Sequence, residues 1–70
     1  MTSEEFEALQ CGDSVREDAT GDVYLINQVR QPGFYAAVLW DAAKMERVNN
    51  RLHALHSGDG LSLVAKKPLR

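Results

Sequence analysis

Turn signals recur along this chain at short, even intervals. Gly12 with Asp13, Gly21 with Asp22, Pro32 with Gly33, and Ser57-Gly58-Asp59-Gly60 each combine residues that tight turns favour. Between them lie "DSVR", "VYLINQV", "FYAAVLW", "MERVN" and "LSLVAKK", rich in β-branched and aromatic residues. Runs of that length and composition read as strands. Five strands at intervals of about ten residues predict a small antiparallel barrel or sandwich. Asp41 to Lys44, "DAAK", reads as a further turn, "NRLHALH" as one turn of helix, and Pro68 as the stop of the fifth strand. A competing α+β reading makes residues 41–56 one helix, because Ala42, Met45, Val48, Leu52 and Leu55 lie at helical spacing.

The ends read differently. In "TSEEFEAL", Thr2 and Glu5 have the spacing of a capping box, and Phe6 and Leu9 share a helical face, so residues 1–11 are an extension with a short helix or a single frayed turn. Residues 12–67 form the expected barrel, and 68–70 a tail. "MTSEEFEALQ" has no hydrophobic run and resembles neither a signal peptide nor an anchor. With 44% apolar and 26% charged residues the chain is composed like a soluble globular protein, and we expect it in the cytoplasm.

A chain of 70 residues holds one domain. It buries only roughly 60% of its unfolded surface, so small chains often lean on a disulfide, a metal or another chain. One cysteine, Cys11, excludes an internal disulfide and suits a reducing compartment. Preceding Gly12, with no basic neighbour in sequence, it reads as a buried, inert thiol. His53 and His56 stand three apart near Asp59, which is too few ligands for a zinc site. They read as surface histidines, and no metal or cofactor is expected. Association with a partner, or with a second copy, is the remaining support.

Charge is distributed unevenly. Residues 1–22 carry seven acids against Arg16, and the rest carry seven bases against three acids. Such a balance disfavours general nucleic-acid binding, which needs a concentrated basic face. Arg30, Lys44, Arg47 and Arg51 are the residues a local contact would use. The closing "AKKPLR" reads as a solubilising terminus.

The third strand is apolar on both sides. Phe34, Ala36, Val38 and Trp40 alternate with Tyr35, Ala37 and Leu39. A small barrel has one interior, so the second face is either covered from within, by Phe6 and Leu9, or offered to a partner. On the partner reading, Tyr24, Phe34, Tyr35, Leu39 and Trp40 form the contact surface. Asp41, with Glu17, Asp18 and Asp22 near the first loop, would select a basic partner segment.

Taken in order, "GDSV", "GDVYLINQV", "YAAVLWD" and "MERVN" resemble the strands of SH3-like small barrels of the Tudor and KOW kind, over residues 12–56. The resemblance implies a fold and, by analogy only, a binding module. Tudor domains hold methylated cations in a cage of aromatic rings. Tyr24 and Trp40 match two cage positions, but "REDATG" and "DAA" lack the other rings, so a methyl-mark reader is not expected. "GDSVR", the Gly33-x-Tyr35-Ala36 strand and "ERVN" are similar to the small plasmid-borne dihydrofolate reductases, tetrameric barrels with a shared pore. Their Val-Gln-Ile-Tyr motif has no counterpart here, so no catalytic residue carries over. A non-enzymatic interaction module is the expectation, with a nucleic-acid contact or a shared-pore enzyme subunit as alternatives.

Overall fold

The computed structural model describes residues 1–66. A short helix, α1 (Ser3–Glu7), precedes five strands: β1 (Ser14–Glu17), β2 (Val23–Gln31), β3 (Phe34–Asp41), β4 (Glu46–Leu55) and β5 (Leu61–Ala65). All neighbours are antiparallel, in the order β4-β3-β2-β1-β5. The expected mainly-β, five-stranded architecture is present. β4 and β5 stand at opposite edges and are not hydrogen-bonded to each other, so the sheet does not close into a continuous barrel.

The expected helical turn over residues 50–56, and the competing helix over 41–56, are both replaced by strand. Leu52 lies opposite Val38, His53 opposite Ala37 and Leu55 opposite Tyr35, so β4 is fixed by its pairing with β3. Leucine and alanine carry helical propensity, but cross-strand packing decides. The turn before it is longer than expected. Met45 belongs to the turn rather than to the strand, with a left-handed φ of 55°. β5 ends at Ala65, and the expected stop at Pro68 lies outside the described residues.

Helix α1 is built as its capping box requires. The Thr2 backbone N–H donates to Glu5 Oε1 at 2.9 Å, and the Glu5 N–H donates to Thr2 Oγ1 at 3.1 Å. The helix lays Phe6 on the sheet, and Leu9 follows just beyond it. Both join Val15, Ile26, Tyr35, Ala37 and Leu61 in one buried cluster. The N-terminal amine donates to the Leu61 carbonyl at 2.7 Å and to that of Gly58 at 3.3 Å, tying the start of the chain to the start of β5. Gly58 is buried where the helix crosses: a Cβ there would sit 2.7 Å from Met1 Cγ and 3.0 Å from Phe6 Cβ.

Candidate functional site

Cross-strand register sorts the side chains by face, because residues directly opposite one another point the same way. Ile26, Ala37 and His53 form one row, and Val15, Tyr24 and Leu39 another, on the face covered by α1. Ser14, Leu25, Val38 and Leu52 form a row across four strands on the opposite face. Among the described residues no helix or strand is layered over this outer row. Val38 is fully buried between its neighbours, while Leu52 is 49% exposed.

Beside that row runs a groove of roughly 340 Å³. Val23, Leu25, Trp40, Ala42, Met45 and Val64 supply its apolar wall. Among the described residues Lys66 is its one charged lining residue and no acid lines it. Trp40 is partly exposed, while Met45 and Val64 stand 72% and 50% exposed. Arg47 faces Trp40 across the β3–β4 ladder and reaches over β3 to donate to Asn27 Oδ1 at 3.1 Å. Lys44 sits in the turn between Ala42 and Met45.

The structure distributes the six expected contact residues over separate places. Tyr35 is a correction: it is fully buried and packs edge-on against Phe6 with centroids 5.0 Å apart. Its hydroxyl donates to the Phe6 carbonyl and accepts from the Gly33 N–H. The face it occupies is covered from within, by α1. Tyr24 and Leu39 lie opposite one another on that same face, partly buried, and the Tyr24 ring meets His53 edge-on at 5.3 Å. Burial pushes the Tyr24 hydroxyl pKa up, helped by the negative charges of Glu17 and Asp22. Phe34 stands on the outer face, stacked on His56 at 4.6 Å with the Arg30 guanidinium 5.9 Å from its centroid. Six residues of strand, about 20 Å, separate it from Trp40. Trp40 alone of the six lines the groove.

The expected acidic rim is also reassigned. Asp41 Oδ1 accepts from the Ala43 and Lys44 N–H groups and so shapes the β3–β4 turn. Asp18 accepts from the Ser62 hydroxyl at 2.8 Å and pairs with Arg16 at 3.3 Å; the Ser62 bond, then Arg16, holds its carboxyl below its usual range. Glu17 accepts from the Thr20 hydroxyl at 3.2 Å. Glu17 and Asp18 organise the first loop and the β1–β5 region, while Asp41, between the lining residues Trp40 and Ala42, is engaged by the turn amides and does not itself line the groove.

The four expected nucleic-acid residues divide in two. Lys44 and Arg47 stand beside Trp40, and Arg51 lies further along the exposed β4. Arg30, on β2, lies beside Phe34 at the opposite end of β3 from Lys44. Cys11 corrects the expectation of a buried thiol: it is exposed, with Sγ donating to the Asn27 carbonyl at 3.6 Å. The histidines belong to β4 and its exit rather than to a helix, His53 against Tyr24 and His56 against Phe34, so no base is placed on the thiol. Among the described residues no group of three or more His, Cys, Asp or Glu is placed to hold a metal ion. No described helix is long and apolar enough to cross a membrane.

Leu25, Met45 and Val64 were not singled out from the sequence, although a signal for two of them was present. "VYLI" and "LSLVA", like "AAVLW", place apolar residues on both faces of a strand. Overlaid, they mark one apolar outer surface. Met45 carried no such signal, because it reaches the groove from a turn. In comparisons with known proteins, the chain matches no family, no curated protein and no solved structure.

Proposed function

We propose that this chain is a non-enzymatic interaction module that holds a partner protein in the groove around Trp40. One observation carries the reading. The sheet buries its inner face under α1, yet among the described residues no helix or strand covers the apolar wall of Val23, Leu25, Trp40, Met45 and Val64 on the other face. Apolar grooves with few polar groups are where ligands are gripped, and aromatic anchors dominate such contacts. Five short antiparallel strands around one small core support a fold of the SH3-like kind, and the exposed Cys11 thiol suits the reducing cytoplasm.

Trp40 is the sole tryptophan, so its emission reports on the groove. Partner binding shifts that emission to the blue and is lost in Trp40→Ala, while Phe34→Ala, at the far end of β3, binds as the parent does. Equal binding by Trp40→Ala and the parent would refute the groove. A nucleic-acid contact has narrower support, because only Lys44 and Arg47 of its four bases flank Trp40. It requires affinity for a single-stranded oligonucleotide that falls steeply with salt.

A further inference from the structure

The Trp40 groove has an apolar floor, and the charge at one end of it is of a single sign. Ala65, Ser14 and Leu25 form one cross-strand row. Lys66, next after Ala65, and Asn27, two beyond Leu25, therefore stand at the same end. They are two strand spacings apart, about 10 Å along the sheet. Lys66 lines the groove there. At Asn27 the charge belongs to Arg47, whose guanidinium donates to Asn27 Oδ1 at 3.1 Å. A neutral amide orients a guanidinium without cancelling its charge, and the planar fork has further donors to offer. Neighbouring acids are engaged or turned away. Asp41 is held by turn amides, Glu46 lies opposite Asp41 and so on the other face from Arg47, and Asp18 answers Arg16. Lys66 also borders a cleft beside α1 that holds Glu4 and Glu5, so Arg47 is the less compensated of the two cations.

We propose, resting on the groove reading, that the partner is an acidic segment of another protein. It seats one large apolar side chain against Trp40 and brings carboxylates to Arg47 and Lys66. The groove sets the single anchor: roughly 340 Å³ is at the small end of ligand pockets and too little for the apolar face of a helix. Arg47 supplies the sharper part of the recognition. Asn27 has already fixed its guanidinium, so a carboxylate binds it with little further loss of side-chain freedom. The floor has one ring, Trp40, among aliphatic groups, which suits a side-chain anchor better than a run of stacked bases. A second copy is a poorer occupant, because its own outer face would set Arg47 and Lys66 against the same cations.

The test titrates the full 70-residue chain with capped, tryptophan-free peptides and follows Trp40 emission. The parent peptide is Glu-Glu-Leu-Glu-Glu, acidic on both flanks so that chain direction does not matter. Its Glu residues are replaced by Gln or by Lys in two others, and its Leu by Ala in a fourth. The Lys peptide should bind about tenfold or more weakly than the Glu peptide, with the Gln peptide between them and the gap closing as salt rises. Arg47→Gln should weaken the Glu peptide severalfold, Lys66→Gln less, and Arg47→Glu should remove the preference for Glu over Lys. The peptide series leaves the protein untouched, so it decides the matter even where a variant folds poorly. If the Leu peptides bind alike whatever their charge, the acidic partner is overturned while the groove reading stands. If Ala serves as well as Leu, or no peptide moves Trp40 emission at up to about 1 mM, the groove reading falls and the proposal with it. A single-stranded oligonucleotide or phosphatidylserine vesicles that shift the emission in preference to the Glu peptide would overturn the proposal. So would a salt-resistant dimer that competes with that peptide.

Discussion

Tyr35 and Trp40 sit five residues apart on the same strand, so they point to opposite faces, and they have opposite fates. Tyr35 is enclosed by Phe6 and Leu55 and tied by its hydroxyl to the helix. Trp40 has a groove in front of it and a positive rim beside it. Both are large aromatic residues in one apolar run, and local sequence does not separate them. The difference is made by nine residues at the far end of the chain, which cover one face and not the other. In a domain this small, what closes a core and what is left as a surface depends on where a single short helix lands.

The largest effect that would break this contrast is at Tyr35. Tyr35→Ala should cost about 3–5 kcal/mol in urea unfolding, as truncation of a buried aromatic does. Trp40→Ala should cost clearly less and show its main effect in binding. Similar stability losses for the two would refute the division into a sealed and an open face. Gly58→Ala tests what seals it. Its new Cβ would meet Met1 and Phe6 at 2.7 and 3.0 Å, so the helix must shift, with an expected loss of about 1–3 kcal/mol and faster amide exchange over α1. An unchanged protection of α1 would show that the clasp yields elsewhere.

On the open side the sign reverses. Met45 holds φ at 55°, a region that costs an ordinary residue roughly 1–2 kcal/mol. Met45→Gly should therefore raise the melting temperature slightly while weakening groove binding, a trade of stability against function. A loss of stability would show that the methionine side chain outweighs the backbone strain.

The smallest effects are those of pH. The hydrogen bonds from Thr2 to Glu5, and from Ser62 and then Arg16 to Asp18, lower both carboxyl pKa values from 4.5 and 3.8. A depressed carboxyl stabilises the fold above its unfolded pKa, and that stability is lost as pH falls through the folded one. Ser62→Ala, which removes the main partner of Asp18, should flatten the acid limb slightly. Thr2→Val should do so less, because the Thr2 backbone N–H that mainly holds Glu5 is kept. Both effects are small since both carboxyls are exposed. Tyr24 has the opposite sense. Its pKa is raised above 10.0, so folding is favoured below the unfolded value and stability falls as pH rises past it. Tyr24→Phe should remove that alkaline loss.

Strand rhythm was legible because Gly21, Pro32 with Gly33, and Gly58 with Gly60 mark turns through backbone requirements that are local. The capping box was legible for the same reason. The course of residues 50–55 was not, because "NRLHAL" takes its conformation from Val38 and Ala37 across the ladder. At the site, Trp40 was readable as a large aromatic on a two-faced strand. Tyr35 was assigned to the wrong environment because alternation gives two faces without saying which one the helix covers. The structural role of these acids was not legible for a related reason: sequence counts charges, while Asp18 and Asp41 are engaged by Ser62 and by the turn amides.

The sheet order also fixes a sequence of events. β1 is flanked by β2 and β5, and the amine of Met1 meets Leu61, so the first residues of the chain find their places only after the last strand exists. β2, β3 and β4 are joined by tight hairpins and can assemble from near neighbours, whereas closure over Tyr35 must bring together residues 60 apart in sequence. Contacts so distant are slow to form. In folding, the three-strand meander can therefore form with both apolar sides wet, and it becomes one-sided only when β5 pairs with β1 and α1 folds down upon it.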